Sequence, residues 1–509
     1  YNTDQKGSGE TTGESKVMKM KRKLKRKWRK FLRKYFKRPL KKKIGEYGKK
    51  HPGFRKAWRR TLYLKRRLYY WWRSRKAVPD EKTIVFNSFN GKTYGCSPKA
   101  VYEYMISHEE FDDWNFIWAF KNAKKHKFLE KNPNTKVIRQ TARIYERKLA
   151  KAKYWITNYR MPDHVWPKPE QVYVQCWHGT PLKRLGYDLQ TSENAIDSIA
   201  DIRRKYDTDA KKFSYILSPS HFASEKFIST WNLKENHMED KVMEVGYPRN
   251  DFLLNYKPQD VVDIKEKLGI PQDKKVILYA PTWRDNQHES GVGFTYDLNL
   301  DFEKLRQELG EEYVIVFRVH YLVASKFSFK DFEGFIYNAS NYDDINHLYL
   351  ITDLLITDYS SVFFDYGILK KPILFYMYDL DDYKDSIRGF YFGIDKLPGR
   401  IITEEEELPG AIRDSIEHFV YDEKYAAFNE MFSHLEDGQA AARFVAKVFP
   451  EVHVTSPARE RELFEKQEIV IQEEESEDWE AGETEELENQ EASGEKEGTE
   501  NREQSGGEA

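Results

Sequence analysis

Leu354-Leu355-Ile356-Thr357-Asp358-Tyr359-Ser360-Ser361-Val362-Phe363-Phe364-Asp365 starts as a short apolar run and ends as the opening of a helix. A run of this kind, closed by small hydroxyl residues, reads as a strand buried on both faces, which is the habit of parallel sheets. The free backbone N–H groups of the helix that follows would favour an anion, and Ser360 and Ser361 would add hydroxyl donors suited to a diphosphate. Simple N-capping by Asp358 or Ser360 explains the same residues without any ligand.

Outward from this stretch the pattern repeats. Residues 83–86, 116–119, 154–157, 172–177 and 215–218 read as strands of a first half, and 275–280, 314–319, 354–357 and 373–376 as strands of a second. Helical patterns lie between them, so the fold class is α/β with parallel sheets. Residues 248–263, ending in a helix-like 261–268, are the hinge between the halves. Two doubly wound domains would place a ligand in the cleft facing the carboxyl ends of their strands.

Several of those ends carry chemistry. Gln175-Cys176-Trp177-His178-Gly179-Thr180-Pro181-Leu182-Lys183 runs from a strand into a His-Gly turn, where a general base would be wanted; a lone loop histidine is as readily incidental. Phe317-Arg318-Val319-His320 ends a strand of the second half in the same way, so two histidines could face each other across one cleft. Neutral imidazole takes a proton near pH 7, and its protonated form can neutralise a leaving phosphate. Tyr279-Ala280-Pro281-Thr282-Trp283-Arg284-Asp285 offers Arg284 as a phosphate partner. Asn90-Gly91-Lys92-Thr93 is not a Walker A loop, because Phe86 stands where the motif needs glycine. Asp379-Leu380-Asp381-Asp382 reads as a solvated acidic loop rather than a metal site.

Charge is strongly polarised along the 509 residues. Residues 16–76 hold 29 Lys or Arg against the single Glu46, a net +28, whereas residues 451–509 carry −16 and the remainder −11. Within the basic stretch Leu24, Trp28, Phe31, Leu32, Tyr35 and Phe36 gather on one helical face. Beyond Pro39 a second pattern uses Phe54, Trp58, Leu62, Leu68, Tyr69 and Trp72. Aromatic rings at headgroup level among lysines and arginines fit an anionic membrane surface. A nucleic-acid-binding arm and a solvated helical hairpin are the rival readings. The Glu-rich residues 451–509 have too little apolar surface to order themselves and read as a disordered acidic tail.

Cys96 and Cys176 have no neighbour at metal-ligand or redox spacing, which excludes a disulfide framework and a zinc site and fits a reducing compartment. No run is long and apolar enough for a membrane span, and the N-terminus has no signal-peptide pattern, so the body is expected in the cytoplasm. The start at Tyr1 and the Gly/Ser/Thr/Glu-rich residues 1–15 fit a flexible linker within a larger polypeptide.

WHGTPLKRLG, GYPRND (Gly246 to Asp251), LYAPTWRD, FRVH, TDYSSVFFDY, KPILFYMYDLDDY and RGFYF (Arg388 to Phe392), in this order, resemble the CDP-glycerol glycerophosphotransferase family, the primases and polymerases of teichoic acid, over residues 82–445. The resemblance implies a GT-B-like fold: an N-terminal Rossmann-like acceptor domain over 80–255, a CDP-donor domain over 256–450, and a basic membrane-targeting segment at 16–76. It implies transfer of glycerol phosphate or ribitol phosphate from a CDP-polyol to a terminal hydroxyl of a lipid-linked acceptor, at the cytoplasmic face of the membrane, with release of CMP and without a cofactor or obligatory metal. By motif match, His178 would be the general base and His320 would stabilise the donor diphosphate. Thr357, Ser360 and Ser361 would cradle phosphate, Arg284 and Arg388 would assist, and Asp365 would meet the ribose hydroxyls. The opening motif Phe86-Asn87-Ser88-Phe89-Asn90-Gly91-Lys92 departs from the family form at Asn87, as does Cys96-Ser97-Pro98, and both changes bear on the acceptor. A GT-B glycosyltransferase using a nucleotide sugar, and a non-catalytic membrane or nucleic-acid adaptor, are the competing functions.

Overall fold

The computed structural model describes residues 51–190, 198–282, 300–319, 329–380 and 389–459, a few isolated positions between 24 and 50, and short strands at 288–289 and 293–294. The chain divides at residue 69 into two units. In the first, the helix Pro52–Arg75 begins with Phe54, Trp58, Leu62, Leu64 and Leu68 exposed, and the Phe54 and Trp58 rings stack. Of the earlier apolar stripe, Leu24, Trp28 and Tyr35 are described and exposed, while Phe31, Leu32 and Phe36 lie outside the described residues. Among the described residues no helix is long and apolar enough to cross a membrane.

In the second unit seven parallel strands form one sheet: β1 (Asp80–Asn87), β2 (Asn115–Phe120), β3 (Thr135–Arg139), β4 (Ala152–Thr157), β5 (Val172–Gln175), β6 (Tyr215–Ser218) and β7 (Val242–Glu244). Their spatial order is β3-β2-β1-β4-β5-β6-β7. After β8 (Lys275–Ala280) and the small pair β9 (His288–Glu289) and β10 (Gly293–Phe294) come β11 (Tyr313–Phe317), β12 (Ile336–Asn338), β13 (Leu354–Thr357), β14 (Ile373–Tyr376) and β15 (Arg400–Ile402). These build a second parallel sheet ordered β12-β11-β8-β13-β14-β15. Strand order reverses between β1 and β4 in one lobe and between β8 and β13 in the other, and a ligand crevice is expected outside the carboxyl ends at such points.

Alternation along each strand feeds two cores per sheet. Ile84 and Phe86 join Trp118 and Val174 on one face of the first sheet, while Val85 joins Trp155, Tyr173 and Trp231 on the other. Leu278 and Leu355, against Ile277 and Ile356, do the same in the second. The apolar runs are legible because both faces are covered. The outer strands β3, β7, β12 and β15, short or interrupted by charged residues, give no such signal. Two predicted strands end early: 172–177 stops at Gln175 because Trp177 turns left-handed at φ 49°, and 314–319 stops at Phe317.

The lobes are stitched together by exchanged segments. Leu182, from the first lobe, is buried in the second lobe's core, and the helix Ala440–Val448, late in the chain, buries Phe444, Val445 and Val448 in the first. Asp251 accepts the N–H groups of Ala440 and Ala441 at 2.9 and 2.7 Å, capping that returning helix. Of the acidic tail, residues 451–459 are described: Ser456 and Thr455 bond to Glu110, and Arg459 pairs with Asp112. Residues 460–509 and the expected linker at 1–15 lie outside the described residues.

Candidate active site

The carboxyl ends of β1, β4 and β5, three adjacent strands, supply one wall of the cleft. Past β5 the Trp177 N–H is held by Gln175 Oε1 at 3.0 Å, and the left-handed turn this fixes swings His178 off the sheet. His178 Nδ1 lies 3.3 Å from the Asn158 carbonyl at the end of β4, so Nδ1–H donates there and Nε2 keeps its lone pair. His178 is exposed at the surface of the cleft, yet the protein around it is dense enough for desolvation to lower its pKa to about 4; the Asn158 carbonyl opposes that shift and the Arg249 charge adds to it. At pH 7 the imidazole is therefore neutral and able to accept a proton.

The opposing wall is the turn between β13 and the helix Val362–Tyr366. A Cβ placed on Gly179 would sit 2.7 Å from Ser361 Oγ, so the His-Gly turn of one lobe lies directly against the serine pair of the other. A side chain at Gly179 would have to push the Ser361 hydroxyl aside. Ser361 stands at the N-cap position, but its side chain makes no capping bond, and the helix it opens is only five residues long. Asp358 is not the cap either. Its Oδ1 accepts the N–H of Thr282 at 2.8 Å and of Tyr359 at 2.6 Å, joining the loops on both sides of the second switch point.

Two of the residues expected at the donor phosphate or ribose have other occupations. Thr357 is fully buried and its hydroxyl donates to the Ala280 carbonyl at 2.8 Å, a tie between neighbouring strands. Asp365 is the acceptor of a buried clamp: Arg249 Nη2 lies 3.0 and 2.9 Å from its two oxygens, Arg249 Nε 3.2 Å away, and Asn250 Nδ2 donates at 3.0 Å. Both partners are almost wholly enclosed, and the pair ties a residue of the first lobe to one of the second. His320, Arg284 and Arg388 lie outside the described residues, as do Asp381 and Asp382. Arg318, two residues before His320, is bound to the carbonyls of Ala339 and Tyr342.

Sequence reading missed the residues that join the lobes. Lys99 meets Asp344 at 2.5 Å with His347 beside them, and burial followed by the Lys99 charge lowers His347 to about 3. Arg184 and Leu182 exchange backbone hydrogen bonds with Gly389 and Tyr391, and the Tyr391 hydroxyl reaches Asp188 and Thr230. No spacing rule could find such pairs, because their members lie more than a hundred residues apart. Among the described residues no group of three or more His, Cys, Asp or Glu side chains could hold a metal ion.

Comparison with known proteins agrees with this architecture. A solved structure of the wall teichoic acid polymerase TagF with CDPG is 36% identical with a TM-score of 0.69, covering 78% of this chain and 97% of that one. The teichoic acid poly(glycerol phosphate) polymerase of Bacillus subtilis (strain 168) is 41% identical over 72% of this chain, which spans only 48% of that protein. The teichoic acid glycerol-phosphate transferase of Staphylococcus aureus (strain NCTC 8325 / PS 47) is 38% identical over 73% of this chain and 94% of its own length. The family profile described as CDP-Glycerol:Poly(glycerophosphate) glycerophosphotransferase matches residues 69–450. With two doubly wound lobes closing on one cleft and that match over most of its length, the chain belongs to the CDP-glycerol:poly(glycerophosphate) glycerophosphotransferase family.

Proposed function

We propose that the chain transfers a polyol phosphate from a CDP-polyol to the terminal hydroxyl of a lipid-linked teichoic-acid-type acceptor, releasing CMP. The observation that carries this reading is the contact of the His178-Gly179 turn with Ser361, which sets a neutral imidazole against a hydroxyl-rich turn across one cleft. His178 Nε2 takes the proton of the acceptor hydroxyl as that oxygen attacks the phosphorus nearest the polyol. A new P–O bond forms, the bond to the CMP oxygen breaks, and CMP leaves with the electron pair. Catalysis then rests on positioning and on donors that meet the charge developing on CMP. Ser360 and Ser361 are the described donors; His320, Arg284 and Arg388 complete the set in this reading. Glycerol is favoured over ribitol as the polyol, since the two relatives named above carry glycerol phosphate in their names.

The basic segment 16–76 is read as a peripheral anchor on anionic lipid, supported by the exposed aromatic residues of the Pro52–Arg75 helix. The experiment for the whole reading is CMP release from CDP-glycerol or CDP-ribitol in the presence of a lipid-linked acceptor. A wild-type chain that releases no CMP from either donor, yet binds a UDP-hexose, would replace it with the sugar-transfer alternative. Flotation with vesicles of graded anionic content tests the anchor, and binding that ignores lipid charge would exclude it.

A further inference from the structure

The loop after β1 is unusual. Phe89, Asn90 and Gly91 take φ values of 45°, 56° and 75°, three successive left-handed residues, and a bulky aromatic side chain seldom adopts that conformation. Neighbours fix it from several sides. The Phe89 N–H donates to Asn158 Oδ1 at 2.7 Å, Gln140 Nε2 donates to Asn90 Oδ1 at 2.8 Å, and the Lys121 N–H donates to the Gly91 carbonyl at 2.7 Å. A Cβ on Gly91 would lie 2.0 Å from Gln140 Oε1, so the turn tolerates no side chain at that position. Strain this heavily braced is a mark of functional sites.

What the strain achieves is the display of one ring. Phe89 is 37% exposed, in a lobe whose other aromatic residues are mostly buried, and it stands edge-on to His178 with centroids 6.0 Å apart. The Trp177 ring lies 4.5 Å from His178 but is packed edge-on against Trp231, so it belongs to the wall. Trp177 is partly buried by that packing, and Phe89 is the more exposed of the two rings beside the imidazole.

Resting on the proposed function of His178, we infer that Phe89 is an acceptor-contact residue: its ring takes the C–H face of the polyol or sugar unit that carries the attacking hydroxyl. An aromatic face removes such apolar surface from water without competing for the hydroxyls, leaving one of them for the base. The ring thereby selects acceptor, and leaves the donor untouched.

The test uses the full chain with CDP-glycerol and two acceptors, one ending in glycerol phosphate and one in a pyranose, with KM read separately for donor and acceptor. Phe89→Ala raises the acceptor KM by roughly tenfold or more, while the donor KM holds. Phe89→Tyr recovers most of the loss. Phe89→Gly, which suits a left-handed turn better than phenylalanine, repeats the effect of alanine and guards against misfolding. The acceptor whose KM moves identifies which unit the ring covers. An unchanged KM for both acceptors, or an equal rise for donor and acceptor, overturns the inference. His178→Ala separates the two claims: it stops turnover with either acceptor while CDP-glycerol still protects the chain from thermal unfolding. A wild-type chain that releases no CMP sinks the reading of the site and this inference with it.

Discussion

The two lobes close their switch points in the same way with different groups. In the first, Asn158 past β4 accepts the N–H of Phe89 past β1; in the second, Asp358 past β13 accepts the N–H of Thr282 past β8, at nearly the same distance. One brace is a neutral amide and the other a carboxylate. A carboxylate beside His178 would favour the imidazolium and remove the proton acceptor. In the second lobe two backbone N–H groups satisfy the Asp358 carboxylate. The same fold position thus carries a charge in the second lobe and none beside His178 in the first.

The largest effect expected from testing that contrast is at the base. His178→Ala lowers kcat by about 10²- to 10⁴-fold with the unfolding midpoint unchanged, as read from CMP release and a thermal melt. A loss smaller than the scatter of the assay would remove the imidazole from the mechanism.

Next comes the clamp that holds the lobes. Arg249→Ala leaves Asp365 buried without its partner and costs roughly 3–5 kcal/mol in urea unfolding. Arg249→Met combined with Asp365→Leu recovers most of it, since the cost comes from the stranded charge. A double variant no more stable than the single one would mean that Asp365 answers to something other than Arg249.

A third test exchanges the braces. Wild-type kcat/KM falls as pH drops through about 4, where the imidazole gains its proton, and is flat above. Asn158→Asp supplies the carboxylate that the second lobe uses and moves this acid limb upward by roughly one unit or more. A limb that stays in place would show that the amide's neutrality is unimportant. The smallest effect is steric: Gly179→Ala raises the KM for CDP-glycerol about tenfold through displacement at Ser361, and Ser361→Ala in the same chain adds less than it does alone.

Much of the fold was readable because its central strands are buried on both faces. Residues 84–86, 276–280 and 354–356 are continuous apolar runs, and each lies in a strand in the middle of its sheet. The placement of the candidate site residues was less readable. His178, where a strand runs into His-Gly, stands in a turn against Ser361, whereas Thr357 and Asp365, with equally suggestive chemistry, bond to the framework. Hydroxyl and carboxyl groups serve ligand and scaffold alike, and local sequence does not distinguish the two.

Taken alone, the sequence determined two α/β halves, their order, and the residue types at the strand ends, because periodicity and turn chemistry are local properties. Tertiary structure decided which of those ends meet. The approach of Gly179 to Ser361 and the grip of Arg249 on Asp365 depend on how two sheets pack together, and the display of Phe89 on loops that meet at the end of one sheet; each is fixed by contacts between residues far apart in the chain.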